Sequence, residues 1–108
     1  MGEILNSGMM WRGYNTADPN NSYATTTAGT ALTQGFTQYV NRVIVYNLGP
    51  VPLYVKFGGV AASNTSYDIV LPPRTGFAGG LNTNAVSVYS ADAVTVYIGG
   101  FREDNTSI

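Results

Sequence analysis

Hydrophobic and polar residues alternate with a period of two along much of the chain, the signature of half-buried strands. Phe36, Gln38, Val40, Arg42, Ile44 and Tyr46 fall on one face of an extended segment, with Thr37, Tyr39, Asn41, Val43, Val45 and Asn47 on the other. Leu53, Val55 and Phe57 share a face opposite Tyr54 and Lys56. Tyr67 to Leu71 forms a third run, stopped by Pro72-Pro73. Arg74 to Leu81 reads as a short or bulged strand around a buried Phe77. Farther on, Val86, Val88 and Ser90 oppose Ser87 and Tyr89, and Val94, Val96 and Ile98 oppose Thr95 and Tyr97. Gly and Pro between short β-branched runs read as turns. The pattern therefore predicts two hairpins, Val43–Tyr46 with Leu53–Phe57 and Val86–Tyr89 with Val94–Ile98. With no sustained helical period, the fold class is all-β: a small antiparallel β-sandwich, jelly-roll-like.

The alternation is weak before Phe36. Met9, Met10, Trp11 and Tyr14 make an apolar island, followed by a turn-rich tract from Asn15 to Ser22 and a Thr/Ala/Gly segment. We expect residues 1–35 to be an extended N-terminal arm with a short strand at Tyr23 to Thr27, residues 36–101 the sandwich body, and residues 102–108 a polar C-terminal tail. Trp11 either folds back onto the body or docks into a neighbouring subunit, where tryptophan is a favoured anchor. Gly58 to Ser66 reads as a long, mobile loop. One regularity crosses the body: Val43, Val45 and Tyr46 recur as Val86, Val88 and Tyr89, and Leu53-Tyr54-Val55 as Val96-Tyr97-Ile98, at a constant offset of 43.

Composition narrows the function classes. The 108 residues include no cysteine and no histidine, which removes disulfides, thiol-ligated metals and the commonest general base. Only 10% of the residues are charged, with net charge −1, against about 25% in ordinary domains. A surface so close to neutral promotes association. The basic residues are dispersed, so no nucleic-acid partner is expected. No apolar segment approaches the roughly 18 residues of a spanning helix and no signal peptide is evident, so no membrane partner is expected either.

Candidate chemistry is thin. Asp68 and Asp92 are the only acids inside the body, and Asp92 sits where a turn favours Asp for backbone reasons. Gly76-Phe77-Ala78-Gly79-Gly80 lacks the lysine of a phosphate loop. Asp18, Asn20 and Asn21 lack the terminal bidentate Glu of a calcium loop. No catalytic, cofactor-binding or metal residues are assigned, and the chain is expected to be no enzyme. Eight tyrosines on a neutral scaffold supply flat amphipathic surfaces. The outward Tyr39, Tyr54, Tyr89 and Tyr97 are candidates for stacking on sugars, or for packing against a second sheet or a neighbouring subunit.

The succession Val43-Ile44-Val45-Tyr46-Asn47, Pro52-Leu53-Tyr54-Val55-Lys56-Phe57-Gly58, Asp68-Ile69-Val70-Leu71-Pro72-Pro73 and Val86-Ser87-Val88-Tyr89-Ser90 resembles the small β-sandwich virion proteins of tailed bacteriophages. The resemblance spans about residues 40 to 101 and lies in strand types, without a diagnostic motif. It implies a non-enzymatic virion structural protein, assembled in the host cytoplasm and set among copies of itself. A capsid decoration or cement protein bound to the major capsid protein is the expected role; the alternatives are a neck or tail component, or a carbohydrate-binding adsorption module. Expected subunit-interface residues are Met9, Met10, Trp11, Tyr14, Tyr39, Tyr54 and Tyr97. The expected partners are other virion proteins and further copies of the chain, with no cofactor.

Overall fold

The computed structural model describes residues 14–104. Seven strands follow in order: β1 (Tyr14–Ala17), β2 (Ser22–Thr25), β3 (Leu32–Asn47), β4 (Leu53–Phe57), β5 (Ile69–Leu71), β6 (Gly76–Tyr89) and β7 (Thr95–Asp104). Every pairing is antiparallel, and no helix occurs among the described residues. The strands join in the order β1-β7-β3-β6-β4-β5, with β2 beside β1 on the same edge of β7. The chain is thus all-β, as the period-two alternation predicts.

The layers arise because one sheet doubles over. The long strands β3 and β6 pair twice, Leu32–Gly35 against Ala85–Val88 and Arg42–Tyr46 against Gly76–Gly80, with register shifts between the two stretches. Bulges of this kind bend a strand sharply. Val45–Phe77 belongs to one stretch, while Phe57 pairs with Val86 beyond the bend. In a flat strand, Phe77 and residue 86 would stand about 30 Å apart at roughly 3.3 Å per residue. The Phe57 and Phe77 rings are instead 5.5 Å apart, so the two halves face each other. Between them lie Val40, Val43, Val45, Leu53, Val55, Leu71, Val86, Val88, Val94, Val96 and Ile98 in one buried cluster. Phe77 itself is only half-buried.

Neither expected hairpin forms. The end of β3 pairs with β6 and β7, not with β4, and the end of β6 pairs with β3 and β4, not with β7. The connections at 48–52 and 90–94 are arches that carry the chain across the core from one layer to the other. Pro50 and Pro52 have no N–H to give a ladder. Asn47, fully buried, fills the corner instead: its Nδ2 donates to the carbonyls of Val51 (2.8 Å), Leu71 (3.1 Å) and Pro72 (3.3 Å), and its Oδ1 accepts from Gly49 N (2.9 Å). Ser90, also fully buried, opens the second arch in the same way, its Oγ accepting from Asp92 N at 3.4 Å. The arches touch, because a Cβ on Gly49 would overlap the Val94 side chain.

The repeat at 43 residues has a structural meaning. Treat β2-β3-β4 and β5-β6-β7 as two units: each is a short edge strand, a long bent strand and a third strand. Exchanging the units turns the order β2-β7-β3-β6-β4-β5 into itself read backwards. The register agrees. Val43↔Gly100, Ile44↔Gly99, Val45↔Ile98 and Tyr46↔Tyr97 map by the 43-residue offset onto Val86↔Phe57, Ser87↔Lys56, Val88↔Val55 and Tyr89↔Tyr54. The central β3–β6 ladder departs from this rule: Leu32↔Val88 would map to Val45 opposite residue 75, and Val45 faces Phe77. The third strand of each unit therefore pairs with the long strand of the other, and the units interlock.

Much of residues 14–35, expected as an extended arm, is built into the sheet. β1 and β2 add to β7, and Leu32–Gly35 add to β6. The expected strand at Tyr23 to Thr27 is β2. Polar side chains hold this region where apolar alternation is weak. Asp18, which is buried, accepts from Asn20 N (3.0 Å), Thr37 N (2.9 Å) and Thr37 Oγ1 (2.8 Å), while the Asn21 amide bonds both Gly100 N and Gly100 O. The expected tail at 102–108 begins as the end of β7, whose residues through Asp104 pair with β1. The loop between β4 and β5 is pinned at the buried Ala62, whose N–H donates to Ser87 Oγ at 2.9 Å.

Candidate functional site: two tyrosine rows

Strand alternation places one tyrosine outward where its neighbours point into the core. Tyr46 sits between the buried Val45 and Asn47, Tyr97 between Val96 and Ile98, Tyr54 between Leu53 and Val55, and Tyr89 between Val88 and Ser90. Pairing then aligns them across strands. On one layer Tyr46, Tyr97 and Tyr23 are direct neighbours on β3, β7 and β2. On the other, Tyr89, Tyr54 and Val70 are direct neighbours on β6, β4 and β5, with Tyr67 beside them. Exchange of the units maps one row onto the other.

Neighbouring rings pair in each row. Tyr23 and Tyr97 meet edge to face with centroids 5.0 Å apart; Tyr54 lies 5.2 Å from Tyr67 and 6.1 Å from Tyr89. Edge-to-face and tilted pairs are the favoured aromatic geometries. Tyr46 lies over Gly76, where a Cβ would come within 2.6 Å of the ring, and its hydroxyl donates to Arg74 O at 3.3 Å. Arg74 holds a left-handed backbone, φ 61°, in the turn that brings this carbonyl to the hydroxyl. The first row lines a groove of about 270 Å³ with Tyr23, Ile44, Tyr46, Leu48 and Tyr97. Among the described residues, no charged side chain lines it. Tyr23 is 69% exposed, Tyr67 44% and Tyr46 41%.

The ionisable groups do other work. Asp68 Oδ2 accepts from Phe57 N (2.9 Å) and its Oδ1 lies 3.9 Å from Lys56 Nζ, so it fastens the end of the β4–β5 loop. Asp92 is exposed on the second arch, where its carbonyl accepts from Thr26 Oγ1. Arg42 and Glu103 pair at 3.7 Å across a second groove, of about 340 Å³. The side chains of Asp18 and Asn21 are spent on backbone and threonine donors and acceptors. Among the described residues no three acids, histidines or cysteines come together in a way that could hold a metal ion.

Of the interface residues expected from sequence, Tyr54 and Tyr97 lie at equivalent places in different rows. Tyr39 is 59% exposed and stands apart on the bent part of β3, its carbonyl accepting from Arg102. Tyr14 pairs opposite Asp104 in β1. Met9, Met10 and Trp11 lie outside the described residues. Sequence reasoning did not select Tyr23, Tyr46 or Tyr67 for a surface role. For Tyr46 the signal was present, since it recurs as Tyr89 at the 43-residue offset. Tyr23 and Tyr67 join only through pairing and loop closure. Comparison with known protein families, with curated proteins and with solved structures found no match.

Proposed function

We propose that the chain is a non-enzymatic structural protein of a bacteriophage virion, a capsid decoration or cement protein that sits on the head and contacts neighbouring subunits. The observation that carries this reading is a surface that is neutral and aromatic on both outer faces, which suits burial against other proteins, where tyrosine is enriched and charge depleted. The resemblance of residues 40–101 to small virion proteins supplies the setting. Cryo-electron microscopy of particles with and without the protein tests it. Extra density on the head shell, removed with the protein, is the expected result. Density at the neck or tail moves the chain to that alternative, and a chain absent from purified particles overturns the reading. A carbohydrate-binding module is the second reading, favoured by the contacting tyrosine rings; a glycan array read with Tyr97→Ala checks it.

A further inference from the structure

We infer that the first half of β6 is a docking edge, and that its occupant is the same edge of a second copy of this chain, running antiparallel about a two-fold axis at Ala78. The inference rests on the structural reading proposed above and adds to it how two copies join.

The ladders define the edge. In this layer β7 pairs with β3, and β3 pairs through Arg42–Tyr46 with Gly76–Gly80 of β6. β4 meets β6 farther on, at Val86–Tyr89, so no strand among the described residues pairs with the outer side of Gly76–Gly80. Asn47 N donates to Thr75 O at 2.8 Å, which sets the phase of the ladder. Thr75, Phe77 and Gly79 turn their backbone groups towards β3, while Gly76, Ala78 and Gly80 turn theirs outward. All three outward residues are exposed.

The duplication shows what this edge lacks. At the 43-residue offset Gly35 corresponds to Ala78 and Thr37 to Gly80. In the first unit the turn between β1 and β2 takes both backbone groups: Gly35 O accepts from Asn20 Nδ2 and Thr37 N donates to Asp18 Oδ2, each at 2.9 Å. Among the described residues, Ala78 O and Gly80 N have no such partner. Other edges are short, with four residues each in β1 and β2 and three in β5 before Pro72-Pro73. Folded proteins guard open edges with charged side chains and proline. From Thr75 to Ala91 the chain has neither.

Three features select a second copy. The unmet groups are backbone donors and acceptors in alternation, which an extended strand satisfies. Two identical strands laid antiparallel about a two-fold axis are complementary through their backbones: Ala78 and the partner's Ala78 exchange both hydrogen bonds, and Gly76 exchanges them with the partner's Gly80. The side chains permit this register, because Phe77 stands opposite the partner's Gly79 and no two large side chains meet across the axis. Copies with net charge −1 also repel one another little.

Sedimentation velocity on the purified full-length chain, from micromolar to millimolar concentration, reads the association. The wild type is expected to pass from monomer to dimer and stop there. Ala78→Pro removes an N–H that the ladder with β3 does not use, a place where an edge strand tolerates proline. Gly80→Lys sets a charge on the edge, where a Cβ has ordinary room, 3.6 Å from Asn41 O. Both variants are expected to keep the wild-type circular dichroism and to stay monomeric, while Ala78→Ser dimerises like the wild type. The chain has no cysteine, so Ala78→Cys carries a single thiol. Hydrogen-bonded neighbours in an antiparallel pair have Cα atoms about 5.5 Å apart, within disulfide reach. Copper phenanthroline is expected to link this variant into a covalent dimer, and to leave Thr25→Cys, exposed on the edge of β2, unlinked.

A wild type that stays monomeric over the whole range overturns the inference. So does a dimer that survives Gly80→Lys, or one that Ala78→Cys fails to link, since either places the contact elsewhere. These measurements use no particles, so their failure leaves the position of the protein on a virion untouched. Absence from virions likewise leaves the edge-to-edge dimer standing.

Discussion

Asp18 shows how single polar residues replace apolar packing where alternation is weak. Its burial works against the charged form, but hydrogen bonds from Asn20, Thr37 and Gln38 outweigh this and hold the carboxyl below its ordinary pKa of 3.8. A folded-state pKa below the unfolded one means that the charged group favours the fold. That contribution is complete above the unfolded value and is lost as pH falls through the lower folded value. Asp18→Asn is therefore expected to lower stability at neutral pH by about 1.5–3 kcal/mol, the scale of hydrogen bonds to a charged group. It should also flatten the acid limb of a stability–pH curve. Urea unfolding between pH 2 and pH 7, run beside the wild type, checks both; parallel curves would remove the carboxylate from the account.

At the scale of elements, the arches decide the topology. Gly49 against Val94 is where the first arch passes the second, and the contact leaves no room for a side chain. Gly49→Val is expected to cost roughly 1–3 kcal/mol, as overpacking does. Val94→Ala in the same chain should recover part of that loss, a coupling that a double-mutant cycle measures. Independent, additive effects would place the arches apart. The strands themselves were legible in sequence, because Val43–Tyr46, Leu53–Phe57 and Thr95–Ile98 declare themselves by local alternation. Their partners were not. Gly49-Pro50-Val51-Pro52 and Ala91-Asp92-Ala93 have the composition of hairpin turns, and nothing within six residues tells a turn that returns along the same sheet from one that crosses the core. The difference lies in the carbonyls of Leu71 and Pro72 reaching Asn47 from 24 and 25 residues away. The same limit hid the tyrosine rows: each member reads as an outward residue on its own strand, and only the ladders line them up.

For the whole molecule, interlocking removes the independence that two units in tandem would have. β4 is held by β6 and β5, both from the other unit, and β7 is held by β3 and β2. Neither unit buries its own third strand. Unfolding is therefore expected to be a single transition, with near- and far-ultraviolet circular dichroism coincident in denaturant. Fragments cut in the exposed stretch Asn64-Thr65 should be unfolded apart and regain β structure when mixed in equal amounts. A fragment that folds alone would show that the units are separable.

The matching of Tyr46 with Tyr89 and of Tyr97 with Tyr54 has an evolutionary consequence. In a dimer of identical chains, one codon change alters both halves of every symmetric contact. Here each half is encoded separately, as Val70 already shows by standing where the other half has Tyr23. Selection can therefore retune one contact for a new neighbour and leave its twin intact.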